Sequence, residues 1–267
     1  MRIWIRLAFV LMIAAPLAAR DRQSPGGVDT AAPETGTFSI LGFDPETQEI
    51  GGAVQSRVFS VGNGVLWGEA GVGVVATQAI VDVGYGPKAM ALLRQGMAPK
   101  DIVKQIYDED SDPGYARQRW QKAGRQFAVM NARGELAAFT GPEAPVEFGD
   151  AQGPHSTAQG NTLGSKDVPA AMVKAFEGSE KSADGKRNHL ALRLLMAIEA
   201  GQAAGGDRRG QQSAALVVFK TDCGVWLHND VELRLQVDDS PGPIVELRRL
   251  VEKALAPRSG QIPCYVR

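Results

Sequence analysis

The junction between Gly36 and Thr37 combines residue types that can form a reactive group. A cut at this peptide bond leaves Thr37 with both its hydroxyl and a free α-amine. Because the unperturbed pKa of an α-amine is about 7.7–8.0, a useful fraction is unprotonated at neutral pH and can accept the hydroxyl proton. Thr37 is then nucleophile and general base in one residue. Gly36 tolerates the strained peptide that self-cleavage needs. A β-branched residue also simply begins many strands, and spacing alone favours that interpretation.

A predicted β-hairpin places two more polar residues beside Thr37. The segments TFSILGF (37–43) and EIGGAVQSR (49–57) are typical of strands, and the turn DPETQ (44–48) lies between them. Folding the chain about this turn sets position 37 opposite position 56. We therefore expect Ser56 and Arg57 to lie next to Thr37.

Three further polar side chains occupy strand ends or glycine-rich loops, where the ends of a sheet converge. Gln78 lies near the end of the segment GVGVVATQA, and Asn161 ends AQGN. Each can donate an amide N–H to an oxyanion. Asp207, in GGDRRG, can anchor the amine or Arg57. All three are also typical turn-stabilising side chains, and the two arginines after Asp207 are expected to be solvated.

Signatures of several other enzyme classes are missing from the sequence. It has no GxSxG elbow, HExxH, CxxC or P-loop, and His155, His189 and His228 are not at metal-ligand spacing. GVGVVA at 71–76 matches the dinucleotide fingerprint, but neither a strand–helix crossover nor a suitably placed acidic residue follows it. We therefore expect no metal and no cofactor.

The charge balance and hydropathy pattern exclude two classes of partner. The 267 residues include 29 Lys+Arg and 30 Asp+Glu, for a formal net charge of −1. Binding of nucleic acid needs a surplus of basic residues, so no nucleic-acid partner is expected. No apolar run reaches the ~18 residues of a membrane-spanning helix, so no span is expected in the mature protein. The sequence is compatible with a homo-oligomer and does not specify one.

The first 36 residues are predicted to be a targeting signal followed by a spacer. Residues 1–19, MRIWIRLAFVLMIAAPLAA, combine a positive start, a short apolar run and a small-residue end, as a cleaved signal peptide does. Residues 20–36, RDRQSPGGVDTAAPETG, lack periodicity and are predicted to be a disordered spacer or propeptide. We expect a periplasmic or secreted protein.

Export bears on the two cysteines, Cys223 and Cys264. In an oxidising compartment they are able to pair and close a loop of about 40 residues, a constraint of about 4 kcal/mol in the chain-entropy model. We predict this disulfide, which would tie the C-terminal tail to the strand near Cys223. Two unrelated thiols are the alternative.

Strands and helices are predicted to occur in pairs along one domain, residues 37–258, with a tail at 259–267. Further strands are expected at 71–79, 126–130, 135–140, 155–160, 213–220, 224–229 and 232–237. Helices are expected at 87–95, 99–107, 168–176 (capped by Asp167), 188–200 (closed by Gly201) and 244–255. Adjacent strands indicate antiparallel hairpins, and strands buried on both faces indicate stacked sheets with helices outside. The predicted fold class is α/β, a four-layer αββα sandwich.

Several ordered blocks of the sequence resemble one bacterial and archaeal family. The blocks are TFSILGFDPETQEIGGAVQSRVFSVG (37–62), GVGVVATQA (71–79), YGPKAMALLRQG (85–96), AAFTG (137–141), AQGN (158–161) and AGGDRRGQQSAA (204–215). Together they resemble the domain of unknown function 1028 (DUF1028) family, which is grouped with the N-terminal-nucleophile (Ntn) hydrolases. The resemblance implies the αββα fold and a nucleophilic threonine at the start of the first strand, the position of Thr37. It implies no substrate.

The same resemblance bears on Ser56 and Arg57. They are similar to the Ser-Arg pair that follows an aspartate in proteasome-type members of the superfamily, and Gln55 stands where that aspartate would be. No lysine occurs between Thr37 and Lys88, so the ammonium group of proteasome-type sites is absent from that stretch. We expect Arg57 to replace it as the positive charge that keeps the α-amine deprotonated and orients the substrate.

Two functions follow from these residues. The first is an exported Ntn-type amidohydrolase that acts on amide bonds of a small-molecule or peptide-like substrate. In it Thr37, Arg57, Asn161 and Gln78 form the catalytic group, and Ser56 and Asp207 bind substrate. The second is a non-catalytic small-molecule-binding protein on the same scaffold, with Thr37 still internal. A structural envelope protein is a third, less favoured interpretation.

Overall fold

Pairs of strands alternate with pairs of helices along the chain, as the sequence predicts. The computed structural model describes residues 36–111, 121–224 and 229–256 together with Cys264. The strands in these ranges are β1 (Thr37–Phe43), β2 (Ile50–Ser56), β3 (Leu66–Glu69), β4 (Gly73–Ala79), β5 (Arg125–Asn131), β6 (Leu136–Thr140), β7 (Gly149–Gln152), β8 (Ser156–Asn161), β9 (Ser213–Phe219) and β10 (Val231–Val237). The helices there are α1 (Gly62–Val65), α2 (Tyr85–Arg94), α3 (Pro99–Asp108), α4 (Val168–Gly178), α5 (Leu190–Ala203) and α6 (Pro243–Leu255).

The described strands form two antiparallel sheets. The six-stranded sheet has the order β10-β9-β2-β1-β8-β7, and the four-stranded sheet has the order β3-β4-β5-β6. Side chains alternate along a strand, so β1 sends Phe38 and Ile40 to one face of its sheet and Leu41 and Phe43 to the other. A strand buried on both faces must lie between two layers, which is why its sequence is almost continuously apolar.

Helices cover the outer face of each sheet. Phe38 and Ile40 share an apolar cluster with α4, α5 and α6, whereas Val75 and Phe127 share one with α2 and α3. A third cluster, which includes Leu41, fills the space between the sheets. The layers are helix, sheet, sheet and helix, which confirms the predicted α/β sandwich. The described residues fall within one compact unit, residues 32–267.

The register of β1 determines the neighbours of Thr37. Thr37 pairs with Ser56 on β2, as the hairpin predicts, and with Asn161 on β8. Residues paired across strands point to the same face. Ser39, two residues along and on that face, donates to Gln78 of β4 at 2.6 Å. Thr37 therefore stands at the end of a central strand, on the face turned toward the second sheet.

One predicted helix end and one predicted capping hydrogen bond differ from the structure. The prediction that Gly201 closes α5 is wrong, because the helix continues through this residue to Ala203. A Cβ at Gly201 would lie 2.7 Å from Met172 Cγ, so this glycine allows α4 and α5 to pack closely. Asp167 is the N-cap residue of α4, but its side chain makes no capping hydrogen bond in the described part of the chain.

Other differences concern short elements and segments outside the described residues. Helix α1 and strands β3 and β7 were not predicted, because each is only 4 residues long and too short to show a period. The predicted signal peptide, all of the spacer before Gly36, most of the strand predicted at 224–229, and the tail apart from Cys264 lie outside the described residues.

The predicted disulfide between Cys223 and Cys264 is present. The two Cα atoms are 4.6 Å apart, and Cys223 is fully buried just beyond β9. Cys264 Sγ lies 3.6 Å from Glu232 Oε1 on β10. The bond therefore fixes this tail residue against the edge of the six-stranded sheet. None of the helices in the described ranges has both the length and the apolar character needed to cross a membrane.

A buried carboxylate, Asp44, organises the turn between β1 and β2. It accepts hydrogen bonds from Arg187 Nη1 at 2.8 Å, Arg193 Nη1 at 3.0 Å and the Glu46 backbone N–H at 2.9 Å. Burial by itself raises the pKa of this carboxyl. The Thr47 and Glu46 backbone N–H groups and the Arg187 guanidinium outweigh burial and hold the pKa below its usual value.

Replacement Asp44→Asn is expected to lower the free energy of unfolding by about 3–5 kcal/mol, because it leaves a buried arginine without its counter-charge. That arginine, Arg193, has a side chain only 2% exposed. Since the folded-state pKa of Asp44 is depressed, its contribution is complete above pH ~4 and is lost as pH falls through the folded value. Urea unfolding at several pH values measures both effects. The exposed Asp184→Asn serves as the matched control, and an equal loss in the two variants contradicts the assignment.

Candidate functional site

Thr37 lies in the wall of a surface cavity, although only 5% of the residue is exposed. The cavity has a volume of about 200 Å³ and is formed with the loops that follow β2 and β4. Its lining is largely aliphatic and includes Val58, Val61, Val81 and Val83. The threonine therefore borders a cavity that opens to the surface.

The peptide carbonyl between Gly36 and Thr37 is held by two hydrogen-bond donors. The Ser56 hydroxyl donates to Gly36 O, and Arg209 Nη2 donates to the same oxygen at 2.9 Å. The Thr37 hydroxyl donates in turn to Ser56 Oγ at 3.1 Å. A chain of hydrogen bonds thus runs from the threonine hydroxyl to the carbonyl oxygen of the preceding residue. Donors of this kind stabilise the negative charge that develops when a carbonyl is attacked.

Gly36 is packed so closely that a larger residue requires the Arg209 or Asp207 side chain to shift. A Cβ at this position would lie 2.6 Å from Arg209 Nη2 and 2.8 Å from Asp207 Oδ2. Both distances are far below van der Waals contact. Close approach of the peptide to Arg209 is therefore a physical reason for glycine at position 36, in addition to the tolerance of strain expected from the sequence.

Arg209 differs from the sequence-based expectation that both arginines after Asp207 are solvated. Its side chain is only 15% exposed, and Asp207 accepts hydrogen bonds from its Nε at 3.0 Å and its Nη2 at 2.7 Å. This two-point contact orients the guanidinium toward Gly36 O. Arg208, the adjacent residue, is exposed as predicted. The motif GGDRRG was the available signal, but it does not show which arginine turns inward.

Arg57 contacts the loop that carries Asp207 and Arg209. Its backbone N–H donates to Asp207 Oδ2 at 3.1 Å, and its Nη1 donates to the backbone carbonyl of Arg209. The residue is exposed. Asp207 and Arg57 are thus brought together, as the sequence predicts, and both position Arg209. The predicted contact of Arg57 with a free amine stays a prediction.

Gln78 and Asn161 meet below Thr37, where they bind its backbone. Gln78 Nε2 donates to Thr37 O at 3.3 Å and to Gln126 Oε1 at 2.8 Å. Asn161 Nδ2 donates to Thr37 O at 3.4 Å and to Gln126 Oε1 at 3.1 Å. These bonds fix the start of β1, and an oxyanion role for either amide requires it to exchange one of them. Sequence reasoning missed Gln126, the shared acceptor, because a single polar residue in a buried strand has no distinctive pattern.

Gln55, at the position of the superfamily's aspartate, faces away from Thr37. It pairs with Phe38 on β1 and Ala214 on β9, and both of these belong to the cluster under the helices. Its two amide atoms are buried and make no hydrogen bond within the described residues. Gln55 therefore does not contribute a hydrogen bond to the Thr37 hydroxyl.

Among the described residues, two groups of potential metal ligands lie away from Thr37. One comprises Glu49, His189 and Glu232, and the other comprises Cys223, Glu232 and Cys264. In the first, Lys220 Nζ already binds Glu49 Oε1 at 3.2 Å, and the imidazole of His189 contacts Glu232 at 3.1 Å. In the second, the two sulfur atoms are bonded to each other and are not thiolate ligands. Neither group carries a metal-binding prediction.

The fold and the site define an αββα sandwich protein with a candidate nucleophilic threonine at the start of its central strand. The chain belongs to the family of unknown function DUF1028, whose model matches residues 37–247. It is similar to the crystal structure of a protein from Silicibacter pomeroyi that is assigned to the same family. The two are 34% identical, the match covers 83% of this chain and 87% of that chain, and the TM-score is 0.71. Among curated proteins there is no match.

Proposed function

We propose that this protein is an exported amidohydrolase of the N-terminal-nucleophile type, with Thr37 as its nucleophile after cleavage of the Gly36–Thr37 peptide bond. The observation that carries the proposal is the hydrogen-bonded chain from the Thr37 hydroxyl through Ser56 to the Gly36 carbonyl, with Arg209 as the second donor to that oxygen. A threonine that merely begins a strand needs no such arrangement.

Self-cleavage proceeds by attack of Thr37 Oγ on the carbonyl carbon of Gly36, which closes a five-membered ring. Negative charge develops on Gly36 O, where Ser56 and Arg209 donate. The C–N bond then breaks, the nitrogen takes up the hydroxyl proton, and Gly36 is left as an ester of Thr37. Water hydrolyses the ester to a Gly36 carboxylate and a free Thr37 amine.

The mature site reuses the same groups on a substrate amide. Departure of Gly36 leaves the Ser56 hydroxyl and one Arg209 N–H directed at the place where a substrate carbonyl oxygen would bind. The free α-amine of Thr37 takes the hydroxyl proton and later delivers it to the leaving amine. A Thr37 acyl ester forms, and water hydrolyses it. In this mechanism Gln78 and Asn161 hold the Thr37 backbone, and Asp207 with Arg57 holds Arg209, so these four act as positioning residues.

Export is the second part of the proposal. Its support is the signal-peptide pattern of residues 1–19 together with the disulfide between Cys223 and Cys264, since such bonds persist in oxidising compartments. A periplasmic or secreted enzyme would act on amides outside the cytoplasm, including peptides and cell-wall fragments.

The mass and N-terminal sequence of the purified mature protein test the proposal. We expect a chain that begins at Thr37, and after treatment with an electrophilic β-lactone we expect one adduct on the Thr37 hydroxyl. A mature chain that begins near Arg20 and stays unmodified by the lactone overturns the hydrolase and favours a binding protein on the same scaffold.

A further inference from the structure

The cavity beside Thr37 has uncharged, mainly apolar walls in the described part of the chain. None of the described residues that line it is charged, and its polar members are Thr37, Ser60, Thr77 and Gln78. The remaining side chains are apolar: Val58, Phe59, Val61, Val65, Ala79, Val81 and Val83. A cavity of this kind desolvates a hydrocarbon group at little cost, whereas a charged group loses its hydration without compensation.

The mouth of this cavity is apolar as well. Phe59 is 67% exposed, Val83 is 49% exposed and Val58 is 38% exposed. These are three of the six large apolar side chains that are exposed in the described part of the chain. Isolated exposed apolar residues are ordinary, but several of them around one opening mark a binding surface for an apolar group.

The direction in which a substrate must extend is limited by Gly36. On one side of this residue the Asp207–Arg209 pair occupies the space that a Cβ would need. An acyl group that takes the place of Gly36 therefore branches toward that pair only if these two side chains shift. The cavity is an open space next to the nucleophile, since Thr37 itself lines it.

We propose that this cavity is the acyl-side specificity pocket and that it selects an uncharged aliphatic or aromatic group. The inference rests on the proposed function of Thr37. At about 30 Å³ for each non-hydrogen atom, a volume of about 200 Å³ accommodates roughly six of them. The substrate class is thus an amide whose acyl side carries a short apolar group of up to about six or seven non-hydrogen atoms, such as a peptide with a leucine- or phenylalanine-sized residue before the scissile bond.

A series of β-lactones tests this specificity on the mature protein. The probes are an unsubstituted β-lactone, a set with linear alkyl groups of increasing length, and one alkyl lactone that ends in a carboxylate. The rate constant for labelling of Thr37, measured by mass spectrometry, is expected to rise about fourfold per methylene, equivalent to about 0.8 kcal/mol, until the cavity is full. The carboxylate-ended probe is expected to lose this gain.

Two variants locate the effect in the cavity. A Cβ at Gly64 would lie 3.5 Å from Val83 Cγ1, so Gly64→Leu fills the cavity and is expected to abolish the preference for long chains. Gly178→Leu is the matched control, because a Cβ at Gly178 meets nothing within 4 Å. Val83→Asp, at the exposed mouth, is expected to reduce labelling by the alkyl probes at least tenfold relative to labelling by the unsubstituted probe.

The outcomes separate this inference from the proposed function. If every lactone labels Thr37 at the same rate, the pocket assignment is overturned and the nucleophile stands. If no lactone labels Thr37, the proposed function fails. Binding of alkyl amides to the protein with Thr37 unchanged, followed through the methyl resonances of Val58 and Val83, then decides about the pocket. Shifts that grow with chain length support it, and their absence overturns it.

Discussion

The Thr37→Ala protein is expected to keep the residues that precede position 37 and to lose any activity by more than about 10³-fold. Without the hydroxyl there is no nucleophile to attack the Gly36 carbonyl and no atom to carry an acyl group, and removal of a nucleophile eliminates most of an enzyme's rate enhancement. The mature chain should begin near Arg20, and the β-lactone should leave its mass unchanged. Mass spectrometry of the purified protein measures both.

Two companion variants make this result specific. Thr37→Ser keeps a hydroxyl at the same place and should restore cleavage and labelling, although at a different rate. Thr221→Ala makes the same chemical change at an exposed turn and should behave as the unmodified protein does. Complete processing of Thr37→Ala would mean that another protease cuts the chain, and the self-cleavage mechanism would then be wrong.

Loss of either donor to the Gly36 carbonyl is expected to slow cleavage by about 10²–10³-fold, the usual effect of deleting one oxyanion donor. The variants are Ser56→Ala, which removes a hydroxyl, and Arg209→Met, which removes the guanidinium that donates at 2.9 Å. Because both donors act on one oxygen, their effects should not add. The accumulation of chain that begins at Thr37, followed with time after refolding, gives the rate of each variant.

Arg208→Met is the matched control for Arg209→Met. The two arginines are adjacent, but Arg208 is exposed and Arg209 binds Asp207. Since Arg209→Met leaves the buried Asp207 without its cation, its unfolding in urea is measured alongside. Ser56→Ala carries no such penalty and tests the same oxygen independently. Normal cleavage in Ser56→Ala, together with normal cleavage in a folded Arg209→Met, would show that the hydrogen-bonded chain plays no part in the reaction.

The hairpin around Asp44 shows why part of the site was predictable from the sequence. Alternation with a period of two and a short turn determine the pairing of β1 with β2, so Ser56 was expected opposite Thr37 and is found there. These are local relations over about 20 residues, and they do not depend on the rest of the fold. Helix α5 shows the limit of such local rules. A glycine at a helix end is a typical stop signal, yet close packing against Met172 accounts for Gly201 and the helix continues.

The contacts that complete the site join residues far apart in the chain. Arg209 reaches the Gly36 carbonyl across a sequence separation of 173 residues, and Asn161 and Gln126 meet from different sheets. Local patterns define strands, helices, layers and the residue beside a turn, because each depends on backbone geometry within a few neighbours. Whether Arg208 or Arg209 turns inward depends on how a loop after α5 is packed against the end of β1. Thr37 and Ser56 were therefore accessible from the amino-acid order. The guanidinium that holds the peptide carbonyl depends on how the loop after α5 packs, and the cluster of Gln78, Gln126 and Asn161 forms only where the two sheets meet.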